Sequence, residues 1–193
     1  GEMQSNIIAL SNESEDLRAI MDDTRAIITI MDSDSAITAL NESALSELLL
    51  MPISRDISID YENGAFAELI SSGGLKDIQN DSIRSVLRSW ESKLTILQGQ
   101  EKALRQSLNK TINYVEAHGD YRVFFDGIEL SEDLGLSNSS KVSTNKHLLR
   151  SKKFENILLN YLAIAAQLHE KNYPSFENDM ELLIELINEE LKK

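Results

Sequence analysis

Residues 80–118 read NDSIRSVLRSWESKLTILQGQEKALRQSLNKTINYVEAH, and this stretch decides the fold class. Its inward series is Ile83, Leu87, Trp90, Leu94, Leu97, Glu101, Leu104, Leu108, Thr111 and Val115. The intervals alternate four and three without a slip, the seven-residue repeat of a helix packed on other helices. Asn80 or Asp81 supplies the N-cap. At 1.5 Å per residue such a helix is roughly 58 Å long, and a rod of that length needs partners along all of it.

Moving toward the N-terminus, Gly73-Gly74 ends a third helix expected over about 62–72 and carrying Phe66, Leu69 and Ile70, because Gly takes the left-handed conformation of a helix C-terminus. Residues 53–61 alternate weakly at Ile53, Ile57 and Ile59 and are expected to run extended, too isolated for a sheet. A helix is expected over about 35–50, with Ile37, Leu40, Leu45 and Leu48 inward and Pro52 as its stop. The first helix is expected over 4–31, with Ile7, Leu10, Leu17, Met21, Ile28 and Met31 on one stripe and Ser14 and Thr24 in its gaps. Asp32-Ser33-Asp34-Ser35 supplies turn and capping chemistry between the two.

Toward the C-terminus, Gly119, Gly127, Gly135 and the polar run Ser137 to Ser140 predict a long irregular connection over 119–146, with at most a short helical turn. A last helical region is expected over about 147–191. Phe154, Ile157, Tyr161, Ala165 and Leu168 mark its stripe, continued by Phe176, Met180, Leu183, Ile187 and Leu191. Pro174 removes a backbone donor and should kink or break this region near residue 170. The reading is an all-α chain, an antiparallel bundle of long helices, four-helix-bundle-like, with one long irregular connection. Residues 1–193 are expected to form a single domain.

The composition fits. The chain is 41% hydrophobic, with only eight Gly and two Pro, too little punctuation for a many-stranded fold. Its formal charge is −13, which disfavours nucleic acid and anionic bilayer surfaces as partners. The charge is uneven. Residues 1–81 hold 4 Lys/Arg against 16 Asp/Glu, residues 82–170 hold 12 against 10, and residues 171–193 hold 3 against 6. The ordinary reading is an acidic first part lying beside a more basic middle; the sharper one is an acidic face for a cationic partner. With no Cys, disulfides, thiolate zinc sites and thiol catalysis are excluded. No apolar run approaches the roughly 18 residues of a membrane span, and no signal peptide is expected within these residues. Gly1 is expected to be a remnant of tag removal, with the native start and any anchor lying before it.

Several pieces of the chain resemble one family. They are Phe66-x-x-Leu69-Ile70-Ser71-Ser72-Gly73-Gly74-Leu75, Ile78-x-Asn80-Asp81-Ser82-Ile83-Arg84, Phe154-Glu155-Asn156-Ile157-Leu158 and Leu183-Ile184-x-x-Ile187-x-x-Glu190-Leu191. Together, across residues 63–91 and 154–191, they resemble an uncharacterised family of small bacterial single-pass membrane-anchored proteins of unknown function. That resemblance implies a short basic segment and one transmembrane helix, followed by a helical domain on the periplasmic side of the inner membrane. It carries over no catalytic or binding residue.

Motif by motif, the chemistry is sparse. His118, His147 and His169 lack the i, i+3 or i+4 His and Glu partners of a helical metal site. Asp32-x-Asp34 starts like a calcium loop, but Ile37 and Ser43 stand where Gly and Glu are required, so capping is the expectation. Ser71-Ser72-Gly73-Gly74 lacks the following Lys of a phosphate loop and reads as a helix-ending turn. No Gly-x-Ser-x-Gly elbow occurs. No metal, cofactor or catalytic residue is therefore expected.

Two features stand out. Glu101 occupies a seam position where Leu or Ile is expected; it either meets solvent or a basic residue, or makes a polar contact that fixes register or anchors a ligand. Tyr114, Tyr121, Phe124 and Phe125 crowd into twelve residues with His118, Asp120 and Arg122 among them, either to plug the bundle end or to line a pocket. Glu101, Tyr114, His118, Tyr121, Arg122 and Phe124 are the expected ligand or partner contacts. The expected function is a non-enzymatic extracytoplasmic interaction, scaffold or sensor-like module, with a protein partner or self-association. The alternative is a small-molecule-binding bundle with its site near residues 114–125.

Overall fold

A computed structural model describes residues 1–141 and 143–192, apart from the side chains of Met51 and Pro52. Val142, in the expected irregular connection, lies outside the described residues. The protein is all-α, with no strand among the described residues. Its α-helices are α1 (Glu2–Met31), α2 (Asp34–Ala39), α3 (Glu42–Ile53), α4 (Gly64–Ser71), α5 (Asp81–His118), α6 (Tyr121–Gly127), α7 (Leu130–Asp133), α8 (Lys152–Gln167) and α9 (Tyr173–Glu190). Short 3₁₀ turns cover Gly74–Asp77 and Leu148–Arg150.

The spine is α5, and every seam position from Ile83 to Val115 is buried, Glu101 and Thr111 included. Asn80 caps it, its Oδ1 accepting from the backbone N–H groups of Ser82 at 3.0 Å and Ile83 at 3.2 Å. In α1 the buried stripe is Asn6, Leu10, Leu17, Ile20, Thr24 and Ile27, with Met21 beside it. Ile7, Ile28 and Met31 flank that stripe half-buried, one position off the expected line.

The chain divides into two compact units. Unit 1 comprises residues 1–17, 57–102 and 166–193. Its helices α5 and α9 run antiparallel: Asn80 meets Glu190, Lys93 meets Asp179 and Glu101 meets Tyr173, so one number falls as the other rises. Of the stretch 53–61 expected to run extended, Ile53 ends α3, and residues 57–63 form a strap of no regular structure in unit 1. Side chains of α1 hold it. Asn6 donates to the Glu62 carbonyl and accepts from the Glu62 N–H, both at 2.8 Å, and Glu13 accepts from the Ser58 N–H at 2.8 Å. Because a strap cannot pair its own backbone groups, these polar residues on α1 take over that task.

Unit 2 comprises residues 18–56 and 103–165. Here α5 and α8 are antiparallel, with Tyr114 against Ser151 and Ser107 against Asn160. The core joins Ile27 of α1, Leu45 and Leu49 of α3, Val115 of α5, and Phe154 and Leu158 of α8. Phe124 of α6 is fully buried in the same cluster.

Four expectations are corrected. The helix over 35–50 is two helices, because Asn41 leaves the helical path and caps α3, accepting from the Ala44 N–H at 2.7 Å. Pro52 does not stop α3, which runs on to Ile53. The connection over 119–146 is not purely irregular: Asp120 caps α6 through the Arg122 N–H at 2.9 Å, and α7 follows. Gly127 lets α6 lie on α3, since a Cβ there would meet the Ser46 hydroxyl at 2.4 Å.

The last correction concerns the C-terminal region. It starts at Lys152, not 147, with the Ser151 hydroxyl accepting from the Phe154 N–H at 3.3 Å. The interruption expected from Pro174 near residue 170 is present, as a widened turn. Residues Leu168–Asn172 form a π-helical turn, in which the Tyr173 N–H bonds to the Leu168 carbonyl, and α9 follows with helical dihedrals. The wider turn places Pro174 in the first turn of α9, where its missing N–H costs nothing.

Candidate functional site

The first candidate is an apolar cavity in unit 1. Four elements contribute: the first turn of α1, α4, the first two turns of α5 and the last turns of α9. It is open to solvent and has a volume of about 480 Å³. Phe66 and Leu69 of α4, Ile83 and Leu87 of α5, and Leu183 and Ile187 of α9 make most of its wall. Leu183 is buried deep in it, whereas Ile187 is 39% exposed at its mouth. The volume falls inside the range of small-molecule sites, roughly 300–1,000 Å³.

The charged side chains in this wall are Glu2 and Glu190. Both are held. The Glu2 carboxylate accepts from the Ala65 N–H through both oxygens, at 2.9 and 3.0 Å, and so closes the N-terminus of α4. Glu190 accepts from the Asn80 side-chain amide at 2.9 Å. The walls therefore offer carbon, and the mouth offers fixed negative charge.

Glu101, also in unit 1, is 6% exposed. Its Oε1 accepts from the Tyr61 hydroxyl at 2.9 Å and from the Tyr173 hydroxyl at 3.3 Å. Burial, and then the Glu101 charge, push both tyrosines far above their ordinary titration range, so both stay hydroxyl donors. Tyr61 stands edge-on to Phe176 at 5.6 Å, and Phe176 packs on Trp90 at 4.8 Å. The buried carboxylate thus pins the strap and α9 to α5.

The remaining expected contacts lie in unit 2. Tyr114 stacks on Phe154 at 5.2 Å and contacts the His118 ring at 4.4 Å. Its hydroxyl meets Ser151 at 2.6 Å, and the Lys153 ammonium lies 5.6 Å over its ring. Tyr121 packs on Phe124 and Phe125. Arg122 pairs with Asp126 at 3.2 Å and donates to the Ser137 carbonyl. Asp126 also accepts from the Ser131 hydroxyl and the Ser139 N–H, and these bonds hold its carboxyl below the usual range. So Tyr114, His118, Tyr121, Arg122 and Phe124 share one unit, and Glu101 belongs to the other.

The histidines do not converge. His169 meets the Ser14 hydroxyl at 2.9 Å, while His147 reaches the His118 carbonyl at 2.6 Å. Among the described residues no three His, Asp or Glu side chains are grouped to hold a metal, and no helix is long and apolar enough to cross a membrane.

Sequence reasoning assigned Phe66, Leu87, Leu183 and Ile187 to the core and missed the cavity. Their spacing is that of ordinary core residues; only their arrangement around a space left unfilled sets them apart. The one signal available was the apolar Ile187 and Leu191 so close to the chain end, of which Leu191 is 80% exposed. Compared with protein-family models, curated proteins and solved structures, the chain matches none.

Proposed function

We propose that this chain is a non-enzymatic helical binding module, and that its working site is the apolar cavity of unit 1. The observation that carries the reading is a space of about 480 Å³ with carbon walls at one end of the helices of unit 1. Unit 2 offers the contrast within the same chain: the space lined by Thr24, Leu108, Thr111 and Tyr161 in its core is only about 10 Å³. An unfilled apolar space forfeits contact energy, and a ligand restores it.

The test is titration with the uncharged fluorophore N-phenyl-1-naphthylamine. The reading expects one saturable site per chain, and its loss in Ile187→Trp, where the new ring fills the mouth. Ile187 is half-exposed, so the fold tolerates the change. Fluorescence that stays unchanged on mixing, or that survives Ile187→Trp, contradicts the reading.

We propose further that the module works on the periplasmic side of an inner membrane, behind an anchor. The support is the resemblance in residues 63–91 and 154–191. The gene should then encode an apolar span of about 20 residues upstream; a complete open reading frame lacking such a span contradicts it.

A further inference from the structure

We infer that the unit 1 cavity takes a single-chain aliphatic amphiphile whose head is cationic. The inference rests on the binding-module reading above and names the ligand class. Three observations carry it. First, the cavity lies among the start of α1, α4, the start of α5 and the end of α9, so it opens at the end of these helices. A partner helix needs a groove along the flank of its host, whereas a socket suits a thin chain inserted end-on. Second, its depth is lined by Phe66, Leu87 and Leu183, so no polar group of a ligand finds a partner there and only a methylene chain is satisfied. At about 30 Å³ per methylene, the space of a liquid water, some 480 Å³ holds a chain of about twelve carbons with room to spare.

Third, the head is chosen by charge. Glu2 and Glu190 are the charged side chains among the described residues that line the cavity. Among the described residues Glu185 and Glu189, both exposed on α9, extend the negative field, with Lys192 beside them. A carboxylate, sulfate or phosphate head would be repelled there, and a quaternary or protonated amine attracted. The same field argues against a second copy of this chain as occupant: two mouths would bring four carboxylates together, on molecules each carrying −13.

The experiment is calorimetric titration of the whole chain, below micelle-forming concentrations, with dodecyltrimethylammonium, dodecanoate and the uncharged dodecyl maltoside, and with shorter alkyltrimethylammonium ions. One dodecyltrimethylammonium per chain is expected, bound at least tenfold more tightly than dodecanoate. Affinity should rise roughly fifteenfold for every two methylenes added. The double variant Glu2→Gln, Glu190→Gln keeps one acceptor oxygen at each position; it should weaken the cation about fivefold and leave the maltoside unchanged. Dodecanoate binding as tightly as the cation, or a preference that survives the double variant, overturns the head assignment and leaves the cavity reading standing. Failure of all three amphiphiles, or binding untouched by Ile187→Trp, overturns both. Exclusion of the fluorophore by a basic amphipathic peptide, with no gain along the alkyl series, overturns the ligand class in favour of a peptide partner.

Discussion

Glu101 shows how one residue can break a sequence pattern and still belong to the core. A carboxylate in a heptad seam is costly unless its oxygens are satisfied, and here two tyrosine hydroxyls from different elements meet it. Removing the carboxylate leaves both hydroxyls without that acceptor. Glu101→Ala is therefore expected to destabilise the protein by about 3 kcal/mol, and Glu101→Gln, which keeps an acceptor, by about 1 kcal/mol or less. The triple variant Glu101→Leu, Tyr61→Phe, Tyr173→Phe should recover most of the loss, because it removes every polar partner together. Urea unfolding measures all three; equal losses for Ala and Gln would show that Glu101 does not hold the tyrosines.

At the scale of elements, α5 is long because its seam is regular, not because every residue favours helix. Gly99 lies exposed in mid-helix, with open space where a Cβ would project. Gly99→Ala should stabilise the protein by about 0.5–1 kcal/mol, read as a higher urea midpoint at unchanged slope. A lower midpoint would mean that α5 needs flexibility there. The 4-3 spacing of Ile83 to Val115 was enough to place α5 and its buried face. The two breaks that spacing did not show, at Asn41 and at the π-helical turn, depend on backbone hydrogen bonds. Asn41 sits in a run whose apolar residues continue smoothly past it, so only its capping bond ends one helix and begins another. Pro174 signals a missing donor, but whether the chain breaks or widens is settled by where the Tyr173 N–H finds an acceptor. The short α6 escaped because Gly119 and Gly127 read as loop punctuation, whereas Gly127 is there for close approach to Ser46. The cavity was illegible for another reason: periodicity says which face is apolar, not whether a neighbour fills it.

At the scale of the whole molecule, the buried tyrosines set an alkaline limit. Tyr61 and Tyr173 are pushed far above their ordinary range, and burial together with the charge of Asp56 pushes Tyr161 up to about 12. Folded values above unfolded ones mean that the stability is fully present below about pH 10 and is lost as pH rises from there through the folded values. Each tyrosine removes at most about 1.4 kcal/mol per pH unit in that window. Thermal midpoints should be flat from pH 7 to 9 and fall from pH 10 to 11.5. Tyr161→Phe should flatten that fall at no cost near neutrality, since the Tyr161 hydroxyl is buried without a partner among the described residues. A fall as steep in the variant as in the parent would place the alkaline limit elsewhere. The central claim is that the molecule binds through the open end of unit 1. Methyl NMR during titration with dodecyltrimethylammonium tests it most directly. The account predicts saturating shifts at Leu69, Ile83, Leu87, Leu183 and Ile187, with Leu45, Leu148, Leu149 and Leu158 of unit 2 unmoved; shifts confined to unit 2, or none at all, would contradict it.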